Sequence, residues 1–329
     1  MASILRDKIF NTESGSDFHN LALQIFDYQY IKNTVYQSFA NCLKRDPGTV
    51  THLTDLPFLP VEFFRTNIVT SGEKTVQKIF ESSGTTGNLT SRHYVCDTGL
   101  YTESFLKSFS LFYGDPADYM IAALLPSYTE RENSSLVFMA DALIKLSRSK
   151  LSGFYRENEK SLIRNIVSTR EEGLKVLLLG VSFALLDLAE KEAPDLSGVI
   201  VMETGGMKGR RKEVTRAELH GILTKSFKVP SIHSEYGMTE LLSQAYSKGD
   251  GIFYCPPWMK IILRDTQDPL SLFTEPGRTG GINIIDLANL YSCSFISTGD
   301  LGRLREDGGF EVLGRFDNSD IRGCNLLAD

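Results

Sequence analysis

A run of small and hydroxylated residues stands out in the stretch FESSGTTGNLTSRHYV, residues 80–95. Its core, SSGTTG, supplies two glycines that allow close backbone approach, four hydroxyl groups and consecutive N–H groups. Such donors can form a nest for the oxygens of a polyphosphate. The segment is not a G-x-x-x-x-G-K-[ST] loop, because Asn88 and Leu89 follow Gly87. Taken alone, it is equally consistent with a plain hairpin turn.

Three further segments carry side chains suited to nucleotide chemistry. HSEYGMTE ends a predicted strand with Glu240, whose carboxylate could hold a divalent cation. STGDLG puts Asp300 on a glycine-flanked turn, where a carboxylate could accept hydrogen bonds from both ribose hydroxyls. GRFDNSDIRG places Arg315 just past a strand as a charged donor for ribose or phosphate oxygens. Four such segments in this order are more specific than any one of them.

The elements that must position these residues follow from the hydrophobic pattern. Residues 16–43 have helical spacing and predict an α-rich N-terminal layer. From residue 76, apolar strand-like runs alternate with helix-like ones, which predicts an α/β layered fold with a mostly parallel sheet. After about residue 244, short β-forming segments predict an antiparallel β subdomain. We expect one compact unit divided into residues 1–75, 76–243 and 244–329.

Composition excludes several classes of protein. The 329 residues carry a net charge of −6, which argues against a broad nucleic-acid interface. The five cysteines show no metal-binding spacing, and no run of 18 apolar residues predicts a membrane span. The N-terminus lacks the pattern of a secretory leader, so we expect a cytoplasmic protein with reduced thiols.

These motifs resemble those of the adenylate-forming superfamily, which includes acyl-CoA ligases and firefly-type luciferases. SSGTTG matches the phosphate loop of that superfamily, YGMTE its Tyr-Gly-x-Thr-Glu motif, STGD its Ser/Thr-Gly-Asp motif and GRFDNSDIRG its hinge segment. ETGGMKG stands where the superfamily has its adenine-binding glycine turn. The resemblance covers about residues 76–325 and implies the large-domain fold of the adenylate-forming enzymes.

A narrower resemblance points to the acyl-protein synthetases of the bacterial luciferase operon. It rests on LLPSYTERENSSLVFMADALI, ETGGMKGRRKEVTRAELH and the ending GRFDNSDIRGCNL. This implies that a fatty acid attacks the α-phosphate of ATP to form an acyl-adenylate and pyrophosphate, and that the acyl group then passes to a protein thiol and on to a partner such as an acyl reductase. Two alternatives stay open: an acyl-CoA ligase of the phenylacetate-CoA ligase type, and an ATP-binding regulator without turnover.

The resemblance assigns roles to individual residues. The β- and γ-phosphates would be gripped by Ser82, Ser83, Gly84, Thr85, Thr86 and Gly87. Thr239 and Glu240 would bind ATP oxygens and Mg²⁺, which prefers oxygen ligands and phosphate bridging. The ribose and adenine would be bound by Asp300, Arg315, Gly205, Gly206 and Tyr236, with the tyrosine stacked on the base.

The acyl acceptor is predicted to be Cys324, which occupies in RGCNL the place of an acylated cysteine in the acyl-protein synthetases. Arg322 would favour its thiolate, although a buried structural cysteine is an equally good interpretation. The printed sequence ends before the small domain that carries a catalytic lysine in the usual superfamily member, so we expect the chain to lack it. Lys208 and Arg92 are the candidate replacements, and His233 could position the acyl carboxylate.

Overall fold

A computed structural model gives the fold and describes residues 1–12, 14–82, 90–126, 131–156, 158–205 and 214–316. The helices are α1 (Ala2–Ile9), α2 (Gly15–Lys32), α3 (Thr34–Cys42), α4 (Phe63–Thr66), α5 (Thr98–Tyr113), α6 (Ser135–Leu146), α7 (Glu159–Glu171), α8 (Ser182–Lys191) and α9 (Arg216–Phe227). The strands are β1 (Leu59–Pro60), β2 (Lys78–Glu81), β3 (Arg92–Val95), β4 (Tyr119–Leu124), β5 (Gly153–Phe154), β6 (Lys175–Val181), β7 (Ile200–Thr204), β8 (His233–Tyr236), β9 (Ala245–Ser247), β10 (Ile252–Phe253), β11 (Met259–Arg264), β12 (Leu272–Phe273), β13 (Thr279–Asp286), β14 (Phe295–Leu304) and β15 (Phe310–Arg315).

The N-terminal layer is helical, as the spacing of its apolar residues predicts. A capping box starts α2, because the Ser14 side chain accepts from Asp17 N while the Asp17 carboxylate accepts from Ser14 N. Asn33 has an extended backbone, ends α2, and caps α3 by accepting a hydrogen bond from Tyr36 N at 2.9 Å. The predicted helical region 16–43 is therefore two helices with one break.

The central sheet has the order β5-β4-β6-β7-β8-β9 and is parallel except for β9 at its edge. Every residue of β4 is buried, which explains its continuous apolar sequence, because helices cover both faces of such sheets. The carboxyl ends of β7 and β8 lie side by side, with Thr204 paired to Glu235. That edge is where open α/β sheets bind ligands.

The second sheet is antiparallel, in the order β10-β15-β14-β13-β11-β12, with β1 of the N-terminal layer added in parallel to β14. Its strands come from the predicted β-forming segments, which confirms the expected α/β architecture with an antiparallel β subdomain. The predicted boundaries after residues 75 and 243 stay predictions.

The strands β2 and β3 pair with each other as a separate hairpin and flank the SSGTTG segment in the sequence. Ser82 and Ser91 close it, since Ser82 N donates to Ser91 O and Ser91 N donates to Ser82 Oγ, both at 3.0 Å. Residues 83–89 lie outside the described part of the chain. Among the described helices, none is long and apolar enough to cross a membrane.

Candidate active site

The two sheets meet at a cluster formed by Tyr236, Asp300 and Arg315. Tyr236, the last residue of β8, donates from its hydroxyl to Asp300 Oδ2 at 2.8 Å. Arg315 is paired with Asp300 across β14 and β15 and donates from Nε to Oδ1 at 3.3 Å. The structure therefore brings together three predicted site residues from two different sheets.

The burial of these three side chains differs. The Tyr236 ring is 8% exposed and lies edge-on to Phe253 and Phe310, with ring centroids 5.8 and 5.7 Å away. Burial raises the pKa of Tyr236 well above its usual value, and the charge of Asp300 adds to this, so the hydroxyl keeps its proton and acts as a donor. The Arg315 side chain is 83% exposed, which leaves its guanidinium accessible to a ligand.

Arg264 holds the backbone around Asp300 through Thr298, and sequence reasoning missed it. Its guanidinium donates to Ile282 O and Asn283 Oδ1, and also to the carbonyl of Thr298, whose hydroxyl accepts from Asp300 N at 3.1 Å. Room for this side chain comes from Gly281, where a Cβ would come within 2.5 Å of Arg264 Cζ. The available sequence signal was the pair Gly280–Gly281 inside a β-forming segment, and the structure pairs Gly281 with Arg264 on the neighbouring strand.

Thr239 and Glu240 follow β8 and lie close to the base of the SSGTTG hairpin. Glu240 is 5% exposed, and burial raises the pKa of its carboxyl, although the nearby Ser91 hydroxyl and its own amide favour the charged form. The backbone of Ser91 also bonds Ser82. Ser91 thus links Ser82, at the start of the predicted phosphate loop, to the predicted metal ligand.

The carbonyls of Thr239 and Glu240 are held by two further residues that sequence reasoning missed. His93 on β3 lies with Nδ1 2.9 Å from Thr239 O, and Asn289 donates from Nδ2 to Glu240 O at 2.7 Å. A lone histidine in a short strand and an asparagine in a buried turn give no motif, so no sequence signal identified them.

The donor set at Glu240 can be compared with what Mg²⁺ requires. The described residues hold no group of three or more His, Cys, Asp or Glu side chains that could bind a metal. Mg²⁺ in nucleotide sites is usually bound by one or two carboxylates together with substrate phosphates and water. A single buried carboxylate near the base of a phosphate-loop candidate fits that arrangement, with Glu240 as the protein ligand.

Gly205 follows β7 with φ of +66°, a backbone conformation that favours glycine. The Ser182 hydroxyl donates to Gly205 O at 2.7 Å and lies 3.2 Å from Glu203 Oε2. Burial would raise the pKa of Glu203, but His220 and the Arg216 charge together hold it below its usual value. Gly205 therefore begins the predicted adenine turn on a firmly held backbone.

Other predicted residues fall elsewhere. Arg92 forms an ion pair with Glu81 at 3.3 Å on the β2–β3 hairpin. His233 is the first residue of β8, at the opposite end from Tyr236, and Tyr113 OH lies 3.1 Å from its Nδ1. Nine predicted residues lie outside the described part of the chain: Ser83, Gly84, Thr85, Thr86, Gly87, Gly206, Lys208, Arg322 and Cys324.

Several solved structures share this fold. The ATP-bound RpMatB-BxBclM chimera B3 matches with a TM-score of 0.55 at 17% identity, over 74% of this chain and 49% of that chain. ATP-bound MatB from Rhodopseudomonas palustris gives 0.54 at 15% identity, over 74% and 49%. The amide bond synthetase McbA from Marinactinospora thermotolerans gives 0.51 at 17% identity, over 73% and 49%. The chain thus spans about half the length of these structures.

No protein-family model matches the sequence, and no curated protein does. At identities of 15 to 17% the likeness to the solved structures concerns the fold. On that ground, together with the parallel sheet and the antiparallel sheet that meet at Tyr236 and Asp300, the chain has the α/β fold of the adenylate-forming enzymes.

Proposed function

We propose that this protein activates a carboxylic acid with ATP and transfers the acyl group to a thiol. The observation that carries the proposal is the cluster of Tyr236, Asp300 and Arg315, which joins the carboxyl edge of a parallel sheet to the antiparallel sheet. The fold shared with two ATP-bound structures supports a nucleotide at this place.

ATP would lie along the carboxyl edge of the central sheet. Asp300 would accept hydrogen bonds from the ribose hydroxyls, with Arg315 as a charged donor beside it. Tyr236 and the turn from Gly205 to Gly206 would bind the adenine. The SSGTTG segment would bind the β- and γ-phosphates through N–H and hydroxyl donors.

In the first step, a carboxylate oxygen of the acid attacks the α-phosphorus of ATP. The bond from that phosphorus to the bridging oxygen breaks, and pyrophosphate leaves with the electron pair. Glu240 would hold Mg²⁺, Thr239 would bind ATP oxygens, and the metal would neutralise charge on the phosphates.

In the second step, the thiolate of Cys324 attacks the acyl carbon of the adenylate. A thioester forms as the acyl C–O bond breaks and AMP leaves with that electron pair. We propose a fatty acid as substrate and an acyl-accepting protein, such as an acyl reductase, as the final partner, because the sequence resembles the acyl-protein synthetases most in the segments around these motifs.

The test is incubation with Mg·ATP and a panel of radiolabelled fatty acids, using wild-type protein and the Cys324→Ser variant. We expect pyrophosphate release by both proteins and hydroxylamine-sensitive label on the wild type alone. Pyrophosphate release without protein label, together with thioester on added coenzyme A, would replace the second step with a coenzyme A ligase. Absence of pyrophosphate release with every acid would contradict the activation step and favour an ATP-binding regulator.

A further inference from the structure

His93 donates a buried hydrogen bond into the motif that contains the metal-ligand candidate. Its Nδ1 lies 2.9 Å from Thr239 O, and a carbonyl oxygen can only accept. Nδ1 therefore carries the proton. Burial lowers the pKa of His93 to about 4, so the ring is neutral near pH 7 and Nε2 is left as an acceptor.

Asn289 makes the matching contact on the next residue. It lies in a 3₁₀ turn, Leu287–Asn289, and donates from Nδ2 to Glu240 O at 2.7 Å. Gln29 on α2 fixes the turn in its place by donating from Nε2 to Asn289 O at 3.1 Å. Two successive carbonyls, at Thr239 and Glu240, are thus bound by donors from two different elements.

The remaining polar atoms of the pair show what this arrangement costs. His93 Nε2 and Asn289 Oδ1 are both buried and have no hydrogen-bond partner within the described part of the chain. A protonated ring could donate from Nε2 to Asn289 Oδ1, and this hydrogen bond alone would raise the pKa of His93. Burial has the larger effect and lowers it. Each buried unpaired acceptor destabilises the folded state. The fold tolerates that cost while both donors serve the two carbonyls.

The position of His93 in the chain adds a second consequence. It lies on β3, directly after the hairpin closure by Ser82 and Ser91, and Phe64 packs edge-on against it with ring centroids 5.8 Å apart. A rigid ring in this place connects the strand that leaves the SSGTTG segment to the Thr239 backbone. The strand β3 and the Thr239–Glu240 backbone are therefore held together through His93.

We propose that His93 and Asn289 are positioning residues that fix the Thr239–Glu240 backbone, so that the Glu240 carboxylate meets the metal on the nucleotide phosphates. This inference rests on the proposed function, since it takes Glu240 as the metal ligand. Neither side chain touches the reacting atoms. Their effect is on metal-dependent binding, because partners that orient a ligand typically change metal affinity or activity by about 10- to 100-fold.

The experiment measures the affinity for Mn²⁺·ATP and for ATP in EDTA by equilibrium dialysis, with bound Mn²⁺ followed by electron paramagnetic resonance. His93→Leu removes the donor, whereas His93→Asn keeps an amide donor close to the position of Nδ1. Tyr36→Phe is the matched control, because Tyr36, which lies on α3, donates from its hydroxyl to another buried carbonyl, Pro57 O. Asn289→Ala removes the second donor and serves if His93→Leu does not fold.

We expect His93→Leu and Asn289→Ala to weaken Mn²⁺·ATP binding about tenfold and to leave metal-free ATP binding within about twofold. His93→Asn should retain Mn²⁺·ATP binding within about threefold of wild type, and Tyr36→Phe should change neither affinity. Equal weakening of both affinities, or no change in either donor variant, would overturn the inference.

The same measurement separates this inference from the proposed function. If the wild type binds Mn²⁺·ATP more tightly than ATP alone but releases no pyrophosphate with any acid, the proposed activity is wrong. The positioning roles of His93 and Asn289 are then decided by the affinities of the variants. If the wild type shows no gain from Mn²⁺, Glu240 is not a metal ligand and the positioning inference is overturned.

Discussion

Two buried carboxylates close to each other in this molecule, Asp286 and Glu240, have different surroundings. Asp286 accepts four hydrogen bonds, from Leu242 N, Ser243 N, the Ser243 hydroxyl and Ala288 N. Around the Glu240 carboxylate, the Ser91 hydroxyl and the residue's own amide favour the charged form. Burial raises the pKa of both, that of Asp286 to about 6.

The difference separates a structural carboxylate from one suited to a ligand. An ionised carboxylate has about four lone-pair sites. Those of Asp286 are all used, three by Leu242 and Ser243 just after Glu240 and one by Ala288 N, so it braces the segment. Glu240 keeps acceptor capacity although it too is almost fully buried, at 5% exposed against 0% for Asp286, and an incoming cation would compensate its burial.

The largest effect is expected for Glu240→Gln. The amide keeps the size of the side chain but cannot carry the charge that a Mg²⁺ ligand needs. We expect pyrophosphate release to fall by about a hundredfold or more, while the free energy of unfolding stays the same or increases because a buried charge is gone. Steady-state pyrophosphate release and urea unfolding measure the two quantities. Activity near that of wild type would remove Glu240 from the metal site.

The opposite pattern is expected for Asp286→Asn. An amide NH₂ would face N–H or O–H donors at one of the two oxygen positions, so at least one buried donor loses its acceptor. We expect a loss of about 3 kcal/mol in the free energy of unfolding. Urea denaturation measures it. A variant as stable as wild type, but inactive, would show that Asp286 has a chemical role and would contradict its assignment as a structural carboxylate.

The parts of the fold that follow local patterns were predictable. The strands β4 and β6 are continuous apolar runs because both faces of the central sheet are covered. The helix α7 has a weaker pattern, because its buried side is a narrow stripe of Leu162, Ile166 and Thr169, with charged residues elsewhere. A two-residue strand such as β1 forms only by pairing with β14, and no local pattern can signal it.

The residues of the candidate site were also predictable only where they belong to a local motif. Tyr236 and Asp300 were predicted as site residues from contiguous motifs, and the structure shows a hydrogen bond between them that the motifs did not predict. His93 bonds Thr239 across 146 positions and Asn289 bonds Glu240 across 49, so neither contact leaves a pattern in one stretch of sequence. Motifs identify groups that touch a ligand, whereas the residues that orient those groups come from whichever element folds against them.

Asp300 is intermediate between the structural carboxylate of Asp286 and the ligand-binding candidate Glu240. Its two side-chain donors differ in burial, since Tyr236 is buried and the Arg315 side chain is 83% exposed. Tyr236→Phe should cost about 1.5 kcal/mol of unfolding free energy by leaving a largely buried carboxylate oxygen without its donor. Arg315→Ala should cost less than about 1 kcal/mol, because exposed ion pairs contribute little. Thermal and urea unfolding of both variants test this order, and a reversed order would contradict it.

The smallest effect is a change in how stability depends on pH. The folded pKa of Glu240 is raised above its unfolded value, so the native state keeps its proton to higher pH than the unfolded state does. Stability from this group is therefore present below the unfolded pKa and is lost as pH rises through the folded one. Glu240→Gln has no such loss, and its stability relative to wild type should increase with pH before reaching a plateau.

Comparing the two proteins isolates Glu240, because the other titrating groups are common to both and cancel in the difference. Urea unfolding from about pH 4 to about pH 8 gives that difference, whose slope cannot exceed about 1.4 kcal/mol per pH unit, the value for one proton. Saturating Mg²⁺·ATP should reduce the slope, because the metal stabilises the ionised carboxylate in the native state. If the slope is the same with and without Mg²⁺·ATP, the burial of Glu240 is not compensated by a metal, and the carboxylate belongs with Asp286 as a structural group.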